Sequence, residues 1–373
     1  VSVRMDFRLT EDQRALKDGM RALLARVFDR DAMRAAVAGA DGAADGGAGG
    51  AGGGVVGGAG ADGAAGGGAG GGVDGGAAGA GGGAPGAGGG APGAGGGAPD
   101  RAMWQALTEA GLFALRRPAG DGGAGLGLPE AVLLFEQAGR VLLPGPLAVT
   151  HLAVTHGAAA DGEVVACAGQ PPGMAAYLAG ADRVVEYGDG GWRDAPPDLW
   201  EGAAPVRSAD PLTPLHRLPS GAGAAAGTAV GTAAARRRPP GDAVLLTAAE
   251  QLGSAARTTE AAVEYAGQRQ QFGRPIGGFQ AVKHLCAGML VRTETARAAV
   301  YAAAVTGDFR EAAGAKLLAD EAAVANARDC LQIHGGMGFT WEADVHLHLK
   351  RAWLRAQMWL DAREAEEIQA AAL

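Results

Sequence analysis

Two short stretches carry side chains suited to holding a phosphorylated ligand. One is YAGQRQQFGRPIGGFQAVKH, residues 265–284, and the other is QIHGGMGFTWE, residues 332–342. Arg269 closes a helical pattern beside Gln268, Gln270 and Gln271. A guanidinium so placed can hold a pyrophosphate through paired, charge-assisted hydrogen bonds. Phe272 offers a flat apolar face. A turn alone needs one glycine, whereas Gly335 and Gly336 together leave the backbone open to close approach by a phosphate or ribose, with the Gln332 amide able to hydrogen-bond it. Taken singly, each residue has a plainer reading. Arg269 would be a helix-end cation favoured by the macrodipole, Gly335-Gly336 a helix cap and turn, and Phe272 and Phe279 core.

Other chemistry-bearing residues fall short of a site. His346 and His348 are two apart, face different sides of a helix and make poor metal partners; they read as interface or surface residues. Gly122-Gly123-Ala124-Gly125 has no preceding strand and no following Lys-Ser/Thr, so it is not a phosphate loop. Among carboxylates, Asp242 reads as a helix N-cap and Asp361 as a solvated charge. Glu250, Glu260 and Glu264 read as helix-surface or interhelix charges, and Glu342 as structural. No metal site is expected.

The elements that must position these residues are mostly helical. Thr10 and Gln13 predict a capping box, opening a helix through Leu16, Met20, Leu23, Leu24 and Val27 to about Ala35. Asp100 predicts a cap for a helix through Trp104, Leu107 and Leu112, and Pro129 opens another over 131–141. From His151 the texture changes to short strand-like runs at 164–167 and 183–187, with an isolated Trp192. From Asp242 the pattern is helical again, with a turn at 273–278 and helices over 279–303, about 311–334 and 342–372. The expected fold is mainly α: an N-terminal helical domain (1–150), a small, reduced β domain with a linker (151–240) and a C-terminal four-helix bundle (241–373).

The chain has 373 residues, 67 of them glycine. From Val37 to Pro99 the sequence is nearly all Gly and Ala, with GGGAPGA repeating from Gly81. So few large side chains cannot offset backbone entropy, and residues 37–99 read as a disordered insertion. The remaining residues, about 310, suffice for two or three packed units. The net charge of −8 and the lack of a basic tract argue against nucleic acid and anionic lipid. Cys167, Cys286 and Cys330 are too few and too scattered for a disulfide scaffold, pointing to a reducing compartment. Charges interrupt the N-terminal apolar residues and no apolar run is long enough to span a bilayer. A cytoplasmic, membrane-free protein is therefore expected.

The two motifs, together with MDFRLTEDQ at 5–13 and WQALTEAGL at 104–112, resemble the acyl-CoA dehydrogenase family. The resemblance implies a flavoprotein that dehydrogenates an acyl-CoA to the 2-enoyl-CoA, with FAD as hydride acceptor and an electron-transfer flavoprotein downstream. It assigns the ADP half of FAD, gripped across a subunit interface, to Arg269, Gln271, Phe272, Phe279, Gln280, Gln332, Gly335 and Gly336. The reaction needs a carboxylate base. At the two places where the family keeps one, this chain has Trp359 and Ala243, which leaves its own catalytic residue unassigned. The string GMGFTWEADVHLHLKRA, 336–352, resembles the actinobacterial-type chains that form two-chain heteromers, and the missing base resembles the degenerate partner. The alternative function is then a non-catalytic structural or FAD-binding partner subunit in a homo- or hetero-oligomer with a second acyl-CoA dehydrogenase-like chain.

Overall fold

The computed structural model describes residues 9–46, 99–219 and 238–371. Helix α1 (Glu11–Val27) opens as expected. Thr10 Oγ1 accepts from the Gln13 amide and the Gln13 side chain accepts from the Thr10 amide, both at 3.1 Å. It ends sooner than its apolar pattern predicts. The chain leaves helical geometry at Phe28, and Asp29 accepts from the Ala32 amide at 2.9 Å, so a new N-cap starts α2 (Arg30–Gly46). The first residues of the Gly/Ala stretch, 37–46, are therefore helical rather than disordered. Residues 47–98, the rest of the expected insertion, lie outside the described residues.

Asp100 caps α3 (Arg101–Glu109) by accepting from the Met103 amide. Helix α4 (Leu128–Arg140) is buried over Ala131–Gly139, the pattern of a central helix. The expectation of strands from His151 is corrected by α5 (Leu147–Thr155), whose residues 147–154 are all buried. A helix apolar on every side has no periodicity to display.

Two small sheets follow. In one, β1 (Val165–Cys167) pairs parallel with β3 (Arg183–Gly188), which pairs antiparallel with β4 (Gly191–Asp194). In the other, β6 (Leu215–Arg217) lies between β2 (Met174–Ala176) and β5 (Ala204–Val206). The expected strand runs at 164–167 and 183–187 match β1 and β3.

Three long helices form the C-terminal layer: α6 (Gly241–Gln268), α7 (Gln280–Thr306) and α8 (Phe309–His334). The helix expected over 342–372 is broken into α9 (Val345–Arg355) and α10 (Ala362–Ala370). Between them Trp359 has φ +64°, and Asp361 with Glu364 forms a second capping box. Asp361 is thus a helix cap rather than only a surface charge, whereas Asp242 is not a cap. Pro240 holds that position, and Asp242 instead pairs with Arg116 at 2.7 Å.

Helices α4 and α6 cross backbone to backbone. A Cβ on Gly139 would meet the Glu250 carbonyl oxygen at 2.0 Å, and one on Gly253 would meet the Glu136 carbonyl oxygen at 2.0 Å. The crossing is therefore closed to any larger residue. Beside it, buried Glu136 accepts from Lys17 of α1 at 3.0 Å, from Tyr301 of α7 at 2.6 Å, and from Arg297 of α7. One carboxylate on α4 thus joins three helices. Among the described residues no helix is long and apolar enough to cross a membrane.

Candidate functional site

The end of α6 is shaped by a tight reversal. The Arg269 amide donates to the Tyr265 carbonyl at 2.8 Å as the helix stops. The chain then folds into a two-residue hairpin, β7 (Gln270–Gln271) against β8 (Arg274–Pro275). Its turn residues Phe272 and Gly273 both have positive φ, +52° and +77°, as mirror-image hairpin turns require. Such positions favour Asn or Gly, and a bulky aromatic there is strained. Phe272 is nonetheless 91% exposed, so its ring gains little from this chain's core. Half-buried Phe279 meets Phe272 edge-on at 6.0 Å and lies 4.2 Å beneath the Arg274 guanidinium. Gln271 donates to the Gln270 carbonyl, and Gln280 is the exposed first residue of α7. The Arg269 side chain is exposed and has no hydrogen bond or ion pair among the described residues.

Helix α8 stops at the same end. Gly335 takes φ +61° and ψ −143°, a region open essentially only to glycine. Gly336 differs. Its φ is not positive, and a Cβ added there would meet nothing within 4 Å. Nothing among the described residues requires Gly336 to lack a side chain. By contrast, a Cβ added to Gly338 would meet His334 and Leu331 at 3.0–3.2 Å. Gln332 is exposed on the last turn.

One contact joins the two motifs. Tyr265, one helical turn before Arg269, stacks on His334, the residue before Gly335, at 4.1 Å and 20°. The eight residues singled out in the sequence therefore lie at one end of the bundle within a single chain. Beneath them a small apolar cluster includes Ala262, Met289, Cys330 and Leu331. Burial pushes the Cys330 thiol up to about 12, leaving it inert. Among the exposed large apolar residues, Phe272, Met337, Phe339 and Trp341 belong to these two motifs.

The two positions where a base was sought are both buried. Ala243 is fully enclosed near the start of α6, and Trp359 is 7% exposed. Trp359 lines an interior cavity bounded by α5, α6 and α9 and by residues of the β region. Trp192, isolated in the sequence reading, meets the Trp359 ring edge-on at 5.9 Å and Tyr187 at 5.3 Å. The long sequence separation hid that contact. Glu250 also lines the cavity and pairs with Arg355 at 2.6 Å. Burial raises its carboxyl above the ordinary range, against the pull of Arg355 and Arg351. It is an interhelix charge, as is Glu260, which pairs with Arg140 of α4, while Glu264 pairs with Arg257 on the helix surface.

Arg351 and Arg355 line the same cavity and were not singled out in the sequence. Their signal was i, i+4 spacing on α9, which sequence alone assigns to a solvated face. Both are instead buried, as is His348. His348 is bonded to Ser254 Oγ at 2.8 Å and pushed down to about 3 by burial and neighbouring arginines. The surface reading of His348 is corrected accordingly. His346, half-buried, meets Trp341 edge-on. Glu342 acts through its carbonyl, which accepts from Arg30 and Arg34 of α2, while Asp344 pairs with both. No group of residues that could hold a metal ion occurs among the described residues.

Comparison with known proteins matches residues 94–165 to the family described as acyl-CoA dehydrogenase, N-terminal domain, and residues 243–365 to acyl-CoA dehydrogenase, C-terminal domain. The intervening residues contain most of the two small sheets. Acyl-CoA dehydrogenase IpdE2 of Mycobacterium tuberculosis is 37% identical over 278 residues, covering 71% of this chain and 84% of that protein. Acyl-CoA dehydrogenase FadE34 of the same organism is 36% identical over 282 residues, covering 68% of this chain; the chain spans only 39% of FadE34. Among solved structures, the ChsE4-ChsE5 complex from Mycobacterium tuberculosis has a chain with a TM-score of 0.67 at 20% identity, covering 98% of both chains. Butyryl-CoA dehydrogenase from Megasphaera elsdenii scores 0.62 at 17%, covering 99% of both. These structural likenesses establish the fold.

Proposed function

The chain belongs to the acyl-CoA dehydrogenase family, and on that premise we propose that its bundle end holds the ADP half of FAD at an interface with a second acyl-CoA dehydrogenase-like chain. The assembly converts an acyl-CoA to the 2-enoyl-CoA. The observation that carries this reading is the pairing of an unengaged, exposed Arg269 with a bare Gly335-Gly336 turn, linked by the Tyr265–His334 stack. The residues fit the group. Arg269 holds the diphosphate through its fork of N–H donors, Gly336 admits close backbone approach, and Gln332, Gln271 and Gln280 supply amides. Phe272 and Phe279 supply apolar faces. FAD, when bound, accepts the hydride released from the acyl chain.

The proton leaving the carbon beside the thioester needs a carboxylate. Neither Ala243 nor Trp359 can accept it, and Glu250 is committed to Arg355. We therefore assign the base to the partner chain. The same observation favours the second reading, a partner subunit that binds FAD or stabilises the complex without doing chemistry. Electrons pass on to an electron-transfer flavoprotein, in the cytoplasm. The working division of labour follows the chain: a helical unit over 1–150, a β unit over 151–240 and the cofactor-holding bundle over 241–373.

The test uses the purified full chain, alone and co-produced with a second family chain bearing a glutamate at either base position. Flavin retention and acyl-CoA-dependent turnover are expected only, or far more strongly, in the pair. Arg269→Ala should weaken FAD by about thirtyfold, the equivalent of roughly 2 kcal/mol for a charge-assisted contact. Undiminished flavin affinity in that variant would remove the assignment, and robust turnover by the chain alone would remove the two-chain reading.

A further inference from the structure

The cavity behind Trp359 has an unusual inventory of hydrogen-bonding groups. Arg351 is 2% exposed and Arg355 5% exposed, and both line it. Arg351 donates through Nε to Asp210 and through Nη1 to the Leu143 carbonyl at 3.2 Å. Its Nη2 has no partner among the described residues. Arg355 donates through Nη2 to Glu250 at 2.6 Å, and its Nη1 has no partner among the described residues. Trp359, also on the wall, turns its amide to Gln170 Oε1 at 2.8 Å, while its buried Nε1 has no partner among the described residues. Among the described residues, three lining side chains thus leave a donor unmatched, and no lining side chain leaves a buried acceptor unmatched.

A buried N–H without a partner costs about 1–3 kcal/mol, more on a charged group. Three such groups on residues of one cavity wall call for an acceptor. Guanidinium and indole nitrogens only donate, so the complementary group is one that only accepts. Ionised carboxylates meet that condition, with about four lone-pair sites in a plane that suits the arginine fork. A neutral hydroxyl or amide would bring donors of its own. The cavity volume is about 40 Å³, enough for a small polar group. Its other wall is apolar, with Leu147 and Ala148 of α5, which matches the hydrocarbon next to a carboxylate.

We propose that this cavity is a carboxylate-binding site, with Arg351 and Arg355 as its ligands and the Trp359 indole as its cover. The position where the family keeps a proton-accepting glutamate is here part of an anion-accepting wall. The carboxylate belongs either to a small free acid or to the far end of an acyl group. This assignment does not depend on FAD binding; only the second source rests on the acyl-CoA reading.

The experiment follows carbon-13-labelled acetate by line broadening and the protein by thermal melting, on the full chain with whatever flavin it carries, at constant ionic strength in chloride. Acetate should broaden and raise the melting temperature saturably. The paired variant Arg355→Met with Glu250→Leu leaves no charge unpaired and should lose at least tenfold in acetate affinity. Ala148→Leu, which narrows the cavity without touching a charge, should lose the response as well. Absence of saturable binding to the parent chain, or binding unchanged in both variants, overturns the site. Succinyl-CoA displacing acetate while butyryl-CoA does not would identify an acyl end as the source. Displacement by neither would identify a free acid, and equal displacement by both would overturn the carboxylate assignment.

Discussion

At the scale of single residues, Gly335 and Gly336 separate two reasons for keeping a glycine. Gly335 is demanded by its own backbone, at φ +61° and ψ −143°. Gly336 is demanded by nothing among the described residues. Gly335→Ala should therefore cost the isolated chain about 1 kcal/mol or more, read as a lower midpoint in urea unfolding. Gly336→Val should leave that midpoint nearly unchanged yet weaken flavin binding and assembly. A stability loss at Gly336 equal to that at Gly335 would mean the second glycine serves only the fold. His348 supports a different prediction. Its folded value of about 3 lies below the ordinary 6.5, so the unfolded chain takes up a proton that the folded chain refuses. Stability is full above about 6.5 and falls as pH drops toward the folded value, with a slope approaching about 1.4 kcal/mol per unit. His151, pushed down to about 4 by burial, adds to the same slope. His348→Gln should flatten the profile between about pH 6 and 4, as followed by denaturant melts at stepped pH.

At the scale of elements, α1, α4 and α7 are joined through Glu136. Burial raises its carboxyl, but Arg297 and Lys17 outweigh that, and Tyr301 adds a hydrogen bond, so the net shift is downward. Its contribution is present above the ordinary carboxylate range and is lost as pH falls through the depressed folded value. Glu136→Leu leaves Lys17 and Arg297 half-buried without their shared partner. It should destabilise by roughly 3–5 kcal/mol, shown by thermal melting, with α1 losing amide-exchange protection first. The capping boxes of α1 and α10 are local chemistry, which is why Thr10 with Gln13 could be identified from three-residue spacing. The break between α9 and α10 could not be, because Trp359 holds φ +64° only against Trp192 and Gln170. Helix α5 was hidden for the opposite reason, since burial on all sides erased its period.

At the scale of the whole molecule, the bundle end presents Phe272, Phe339 and Trp341 at 91%, 74% and 58% exposure. Apolar surface of this kind around a ligand motif marks an interaction face. Phe272→Ser should leave the melting of the isolated chain within about 0.5 kcal/mol, or raise it through relief of the positive-φ aromatic, while shifting the assembly toward smaller species in analytical ultracentrifugation. An unchanged assembly would remove Phe272 from the interface.

What the sequence by itself determined is what short-range chemistry carries: the helical periodicities, the caps at Thr10 and Asp100, the turn glycines, and the two motifs that place this chain in its family. Only the tertiary structure decided how distant segments meet. It stacks Tyr265 on His334, sets Trp192 against Trp359, and buries Arg351 and Arg355 around a cavity that their exposed-looking spacing concealed. The physical reason is that capping and turn chemistry act over three or four neighbouring residues, whereas burial and unpaired polar groups depend on which elements pack together.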